Sequence, residues 1–139
     1  MFTFTNSCFR FRNYFKQNVN YVLYLLTVLE QKTNIKWFRH LKVYILREMI
    51  KYKDYGNNEI TNIICTKPDK NGNCTKAIEK LKKYKTEIFE ISLRGLVYCV
   101  INKNKSMLDC LEKMGYPLEM VLYADNYKLL QKHNPNYQL

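Results

Sequence analysis

Apolar residues recur along this chain at intervals of three and four, the spacing that places side chains on one face of an α-helix. One series covers 11–29 and a second covers 38–52, with the polar stretch 31–34 between them. The pattern predicts two amphipathic helices, and it predicts the strongest helix of the chain over Lys36 to Lys53.

In both helices we expect the periodic apolar side chains to face the core. The first series consists of Phe11, Phe15, Val22, Leu25, Leu26 and Leu29, and the second of Phe38, Leu41, Ile45, Met49 and Tyr52.

The clearest loop follows, because Pro68 removes a backbone donor and the pair Asn71-Gly72 favours a tight turn. We assign the loop to 66–74, which divides an N-terminal helical half, 7–65, from a C-terminal helical half, 75–132. The segment Glu59 to Cys65 just before the loop fits a short helix or a strand.

In the C-terminal half, an apolar stripe opposite several lysines predicts an amphipathic helix between Thr75 and Phe89. A shorter apolar series, 93–100, is followed by a polar turn. Ser106 with Asp109 resembles a capping box that begins the next helix, and Gly115 is expected to end it in a left-handed conformation.

About six segments carry the helical period, and very few carry sustained alternation. Hydrophobic residues make up 47% of the 139 residues and charged residues 25%, which is ordinary usage for a folded domain. We therefore predict an all-α protein, a single compact domain of about six short-to-medium helices.

The formal net charge of +11 predicts a positive field that attracts nucleic acid, anionic membranes or acidic protein surfaces. The basic residues are spread along the chain and lysine greatly outnumbers arginine, which also follows from the codon bias of an AT-rich genome. If the charge serves nucleic-acid binding, the candidate residues are Arg10, Arg12, Lys80, Lys82, Lys83, Lys85 and Arg94.

No catalytic or metal-binding pattern is present in the sequence. The five cysteines are odd in number and include no Cys-x-x-Cys, so free thiols in a reducing compartment explain them better than a Cys65–Cys74 disulfide. His40 and His133 lie far apart, without the usual ligand spacing. We expect no enzyme activity, no metal and no cofactor.

The first 29 residues contain no acidic residue, which is also a property of mitochondrial targeting sequences. The apolar run 21–29 is too short to span a membrane, and its aromatic neighbours suit a buried helix face better than a targeting peptide. We expect an intracellular protein, cytoplasmic or nuclear, with mitochondrial targeting as the alternative.

Two stretches resemble a known family. The segment CVINKNKSMLDCLEKMGYPLE, 99–119, looks like the helix-turn-helix half of an ankyrin repeat, and RHLKVYIL at 39–46 with 74–108 resembles the region after the array in ankyrin-repeat proteins of poxviruses and parasitoid wasps. The two alignments overlap at 99–108. No Thr-Pro-Leu-His consensus and no F-box-like end is present, so ubiquitin-ligase recruitment is not implied.

The resemblance implies ankyrin-like helical hairpins in the C-terminal half and a viral or insect-associated protein that binds a host protein through a helical face. Trp37, the only tryptophan, forms a candidate partner-binding patch with Phe38 and Arg39, because Trp and Arg are enriched among binding hot spots. The competing interpretation places Trp37 and Phe38 in the core at the start of the second helix.

Two other functions stay open. The first is a basic helical nucleic-acid-binding protein, which the charge and the 12 tyrosines favour, since aromatic rings stack on unpaired bases. The second is a viral helical-bundle inhibitor of apoptosis or innate signalling, in which a partner helix enters an apolar groove. The oligomeric state is not fixed by the sequence.

Overall fold

A computed structural model describes the backbone of residues 6–50 and 56–123, with side chains from residue 17 onward. These residues form six α-helices and one 3₁₀ helix, and the part of the chain they cover contains no strand. The all-α prediction is confirmed. The elements are α1 (Asn6–Thr33), α2 (Lys36–Ile50), α3 (Asn58–Ile64), α4 (Thr75–Leu81), the 3₁₀ helix (Thr86–Glu90), α5 (Leu93–Ile101) and α6 (Lys105–Lys113).

The first two helices form an antiparallel hairpin. The predicted start at Lys36 is confirmed, whereas the predicted end at Lys53 lies outside the described residues. α1 has 28 residues and is the longest described helix. Asn34, at φ +56, ends α1, and the turn directs α2 back along it.

The buried face of α2 agrees with the predicted one at Met49 but is displaced by one position earlier in the helix. Lys42 and Leu46 are buried, whereas the predicted Leu41 and Ile45 are only half-buried. The displacement follows from Lys42, because its ammonium group finds partners inside the protein and its aliphatic stem then packs as an apolar residue.

The helix predicted between Thr75 and Phe89 is divided in two. α4 ends at Leu81, where two short-range bonds tighten the chain, Lys83 N to Lys80 O at 3.3 Å and Tyr84 N to Leu81 O at 3.1 Å. If α4 continued past Leu81, its next turn would carry lysine side chains, and lysines there bury no apolar surface. The 3₁₀ helix instead packs against α1 and buries Ile88 and Phe89 almost completely.

Asn104 joins α5 to α6 and is fully buried. Its backbone N–H donates to Cys99 O, which closes the end of α5, and its side-chain oxygen accepts from Met107 N at 3.1 Å, which caps α6. The predicted capping box was therefore wrong, because α6 begins before Ser106. The Ser106 hydroxyl donates to Gly72 O.

The Asn104 amide also fastens the long loop. Its Nδ2 donates to Thr66 O at 3.0 Å, and Cys74 Sγ donates to its Oδ1 at 3.4 Å. Replacing Asn104 with alanine should lower the free energy of unfolding by about 2 kcal/mol, since both a helix cap and a buried amide are lost. Asn57→Ala removes only the cap of α3 and should lose about 1 kcal/mol in the same urea titration. Equal losses would contradict the central role of Asn104.

A single core connects the elements, and every helix supplies at least one of its buried side chains. No helix among the described residues combines the length and the apolar character needed to cross a bilayer. The fully buried apolar residues include Leu23, Leu46, Ile60, Ile64, Leu81, Ile88, Leu96, Met107 and Leu111.

Candidate interaction surface

Three apolar side chains project into solvent where α1 turns into α2. Leu29 is 42% exposed, Ile35 49% and Trp37 61%. We call these three residues the hairpin tip. Since folded monomers seldom leave neighbouring large apolar side chains exposed without a use for them, the hairpin tip is the first candidate for a binding surface.

Trp37 points outward rather than into the core, so the competing interpretation of this residue does not hold. Its ring meets Phe38 edge-on, with centroids 5.5 Å apart and an interplanar angle of 71°. Phe38 is half-buried. The half-buried Phe38 ring thus packs edge-on against the exposed indole of Trp37, an arrangement that aromatic pairs prefer.

Arg39 forms an ion network with glutamates of this chain. Its Nε and Nη2 each lie 2.7 Å from a carboxylate oxygen of Glu119, and Nη2 also lies 3.3 Å from Glu112. The hydrogen bond to Arg39 lowers the pKa of Glu119, and the same bond raises the pKa of Arg39. Arg39 therefore joins the start of α2 to the segment after α6, and this ion pair holds the backbone beneath the hairpin tip in place.

Lys42 lies one turn further along α2, with no exposed side-chain surface. Its ammonium group donates to Thr27 Oγ1 at 3.1 Å, to Glu30 Oε1 at 2.8 Å and to Gly115 O at 2.8 Å. All three donors are used, which a buried ammonium group requires. α1, α2 and the end of α6 meet at this point.

Gly115 completes the junction. Its N–H donates to Glu112 O and the N–H of Tyr116 donates to Leu111 O, which is the Schellman pattern of helix ends. Gly115 has φ +102, so the predicted left-handed conformation is confirmed. An added Cβ would clash with Thr27 Cγ2.

α1 carries a second apolar stripe that sequence reasoning assigned to the core. Val22 is 44% exposed and Leu25 42% exposed, and they lead toward Leu29 at the hairpin tip. Leu26 is buried as predicted, and so is Leu23, which the predicted series did not include. The available signal was the presence of apolar residues on two sides of α1, which one buried face cannot accommodate.

The basic residues of the nucleic-acid hypothesis do not share one helix face. Lys80 lies in the last turn of α4, Lys82 and Lys83 lie in the turn after it, and Lys85 precedes the 3₁₀ helix. All four side chains are exposed. Arg94 lies at the start of α5, and the side chains of Arg10 and Arg12 lie outside the described residues.

The described thiols are unsuited to nucleophilic chemistry. Cys65, Cys74, Cys99 and Cys110 are all free, so Cys65 and Cys74 do not form a disulfide. Burial raises the pKa of Cys99 to about 12 and also raises the pKa of Cys65 and Cys110, which disfavours the reactive thiolate. Within the described ranges, no three His, Cys, Asp or Glu side chains are grouped so that they would hold a metal ion.

Comparisons with known proteins add no relative to these observations. No protein-family model matches the chain, and neither a curated protein nor a solved structure is significantly similar to it.

Proposed function

We propose that this protein is a non-enzymatic protein–protein interaction module that binds its partner through the hairpin tip. The observation that supports this most is the exposure of Trp37, 61%, beside Ile35 and Leu29. A tryptophan buried at the centre of an interface contributes more binding energy than most other residues do.

The rigidity of the surface adds to its suitability. Arg39 and Lys42 fix the first turns of α2 to α1 and to the segment around Gly115. A side chain held on a fixed backbone loses little conformational freedom on binding, so more of the contact energy is retained as affinity.

The proposed partner is a protein of the host cell with an apolar pocket and an acidic rim. Lys32 and Lys36 are exposed on either side of the turn, and carboxylates on the partner would complement their charge. The viral or insect-associated origin and the ankyrin-type interpretation of 99–119 stay part of this proposal.

Trp37→Ala should weaken the partner complex by about 2 kcal/mol or more, roughly thirtyfold, because it removes the largest apolar anchor. The measurement is quantitative capture of partner from nuclease-treated host lysate on immobilised protein. Leu122→Ala is the matched control, since Leu122 is 67% exposed and lies outside the hairpin tip. Equal retention by both variants would contradict the proposal.

A second arm of that experiment separates the proposal from nucleic-acid binding. Changing Lys80, Lys82, Lys83 and Lys85 together to glutamine should leave the protein complex intact. Loss of the complex in this variant but not in Trp37→Ala would assign the function to the positive charge instead.

A further inference from the structure

A surface cleft of about 530 Å³ runs along the contact between α3 and α5, on elements that take no part in the hairpin tip. This volume is within the range of small-molecule sites. One wall carries Asn58, Asn62 and Cys65 along α3, and the other carries Arg94 and Tyr98 along α5.

The floor of the cleft is fixed at both ends. The hydroxyl groups of Thr61 and Ser92 are 3.2 Å apart at one end, and Asn102 Nδ2 donates to Cys65 O at 3.3 Å at the other. Between them the helices approach closely, because a Cβ on Gly95 would lie 3.2 Å from the Thr61 methyl group. Ser92 and Asn102 are ten helical steps apart, which gives the cleft a length of about 15 Å.

The chemistry of the walls is cationic, aromatic and amide-rich. Arg94 and Lys67 both line the cleft, and among the described residues no acidic side chain does. Neither of these cations forms an ion pair with a carboxylate within the described residues. The Arg94 guanidinium lies 5.6 Å from the centroid of the Tyr98 ring, and the Tyr98 side chain is 42% exposed.

Arg94 and Lys67, which have no carboxylate partner in the described part of the chain, suit a phosphate, and the exposed ring of Tyr98 suits a planar base. The Asn58 and Asn62 amides add donors and acceptors that can meet the edge of a base or a ribose hydroxyl. An apolar peptide would leave Arg94 and Lys67 desolvated and unpaired, which costs free energy.

We propose that the α3–α5 cleft binds a nucleotide, with Arg94 and Lys67 at the phosphate and Tyr98 stacked on the base. The nucleotide is either free or a unit of a single strand. The proposal stands apart from the hairpin tip, and either of the two sites can fail without the other.

Isothermal titration calorimetry on the full chain tests the site with ATP, inorganic tripolyphosphate and a short single-stranded oligouridylate. ATP should bind, and Arg94→Gln or Tyr98→Ala should each weaken it by roughly tenfold or more. Tyr98→Phe should retain the affinity, because the ring that stacks is kept. The double change Lys76→Gln and Lys113→Gln is the matched control for charge, since both lysines are exposed and neither lines the cleft, and it should leave ATP binding unchanged.

The two sources of the nucleotide are distinguished by the oligouridylate. Tighter binding than ATP, with an affinity that falls steeply between about 50 and 200 mM salt, indicates a strand, and weaker binding indicates the free nucleotide. Tripolyphosphate binding as tightly as ATP would overturn the proposal, because no base would be recognised. Failure of both nucleotide probes at millimolar concentration would overturn it too, as would an equal loss in the control.

Discussion

Gly115→Val should lower the free energy of unfolding by about 3 kcal/mol or more, from two separate causes. The first is backbone strain, because a β-branched residue strongly disfavours the φ of +102 found here. The second is steric, because the new Cβ would clash with Thr27 Cγ2. Urea denaturation followed by far-UV circular dichroism measures the loss.

Gly72→Val is the matched control, since Gly72 also has a positive φ, +79, but an added Cβ there meets nothing within 4 Å. It carries the backbone strain alone and should lose about 1 to 2 kcal/mol. The difference between the two variants measures the contact with Thr27. Identical losses would show that α6 does not approach α1 as closely as described.

Lys42→Met should destabilise the protein by about 3 kcal/mol, although methionine has nearly the same volume. The change removes the hydrogen-bond donor to Gly115 O. It also removes the close cation beside Glu30, whose Oε2 is then left with Arg39 Nη1 at a distance of 3.9 Å. Breaking a buried pair costs more than the pair contributes, because the remaining charge stays desolvated.

Lys36→Met provides the comparison on the same helix, because Lys36 is exposed. The midpoint of urea unfolding of the Lys36→Met variant should differ little from that of the unchanged protein. If Lys42→Met were equally harmless, the ammonium group would not be the buried centre of the junction between α1, α2 and Gly115.

The helices themselves were readable from the sequence because local signals determine them. The apolar period predicted the start of α2, and Gly115 predicted the end of α6. The cap of α6 was not predicted. Asn104 caps the helix in place of Ser106 because its side chain also bonds Thr66 and Cys74, which are distant in sequence. The division after Leu81 likewise depends on the packing of the 3₁₀ helix against α1.

The candidate surface was only partly predictable. Trp37 was named from residue type, but its exposure depends on the rotation of α2, and the partners of Lys42 determine that rotation. Arg39 was named with it, and only the structure pairs Arg39 with Glu119, 80 positions away. Leu29 and Ile35 were missed because an apolar residue carries no sign of whether it faces a core or a partner.

Site-specific photo-crosslinking tests the central claim most directly. A benzophenone amino acid is placed at Ile35 in the hairpin tip, and at Leu122 and Tyr98 as exposed apolar controls elsewhere. On irradiation in host lysate, the account predicts one discrete protein adduct from position 35 that Trp37→Ala abolishes, and no such adduct from 122 or 98. The same adduct from Leu122 or Tyr98, with none from Ile35, would contradict it.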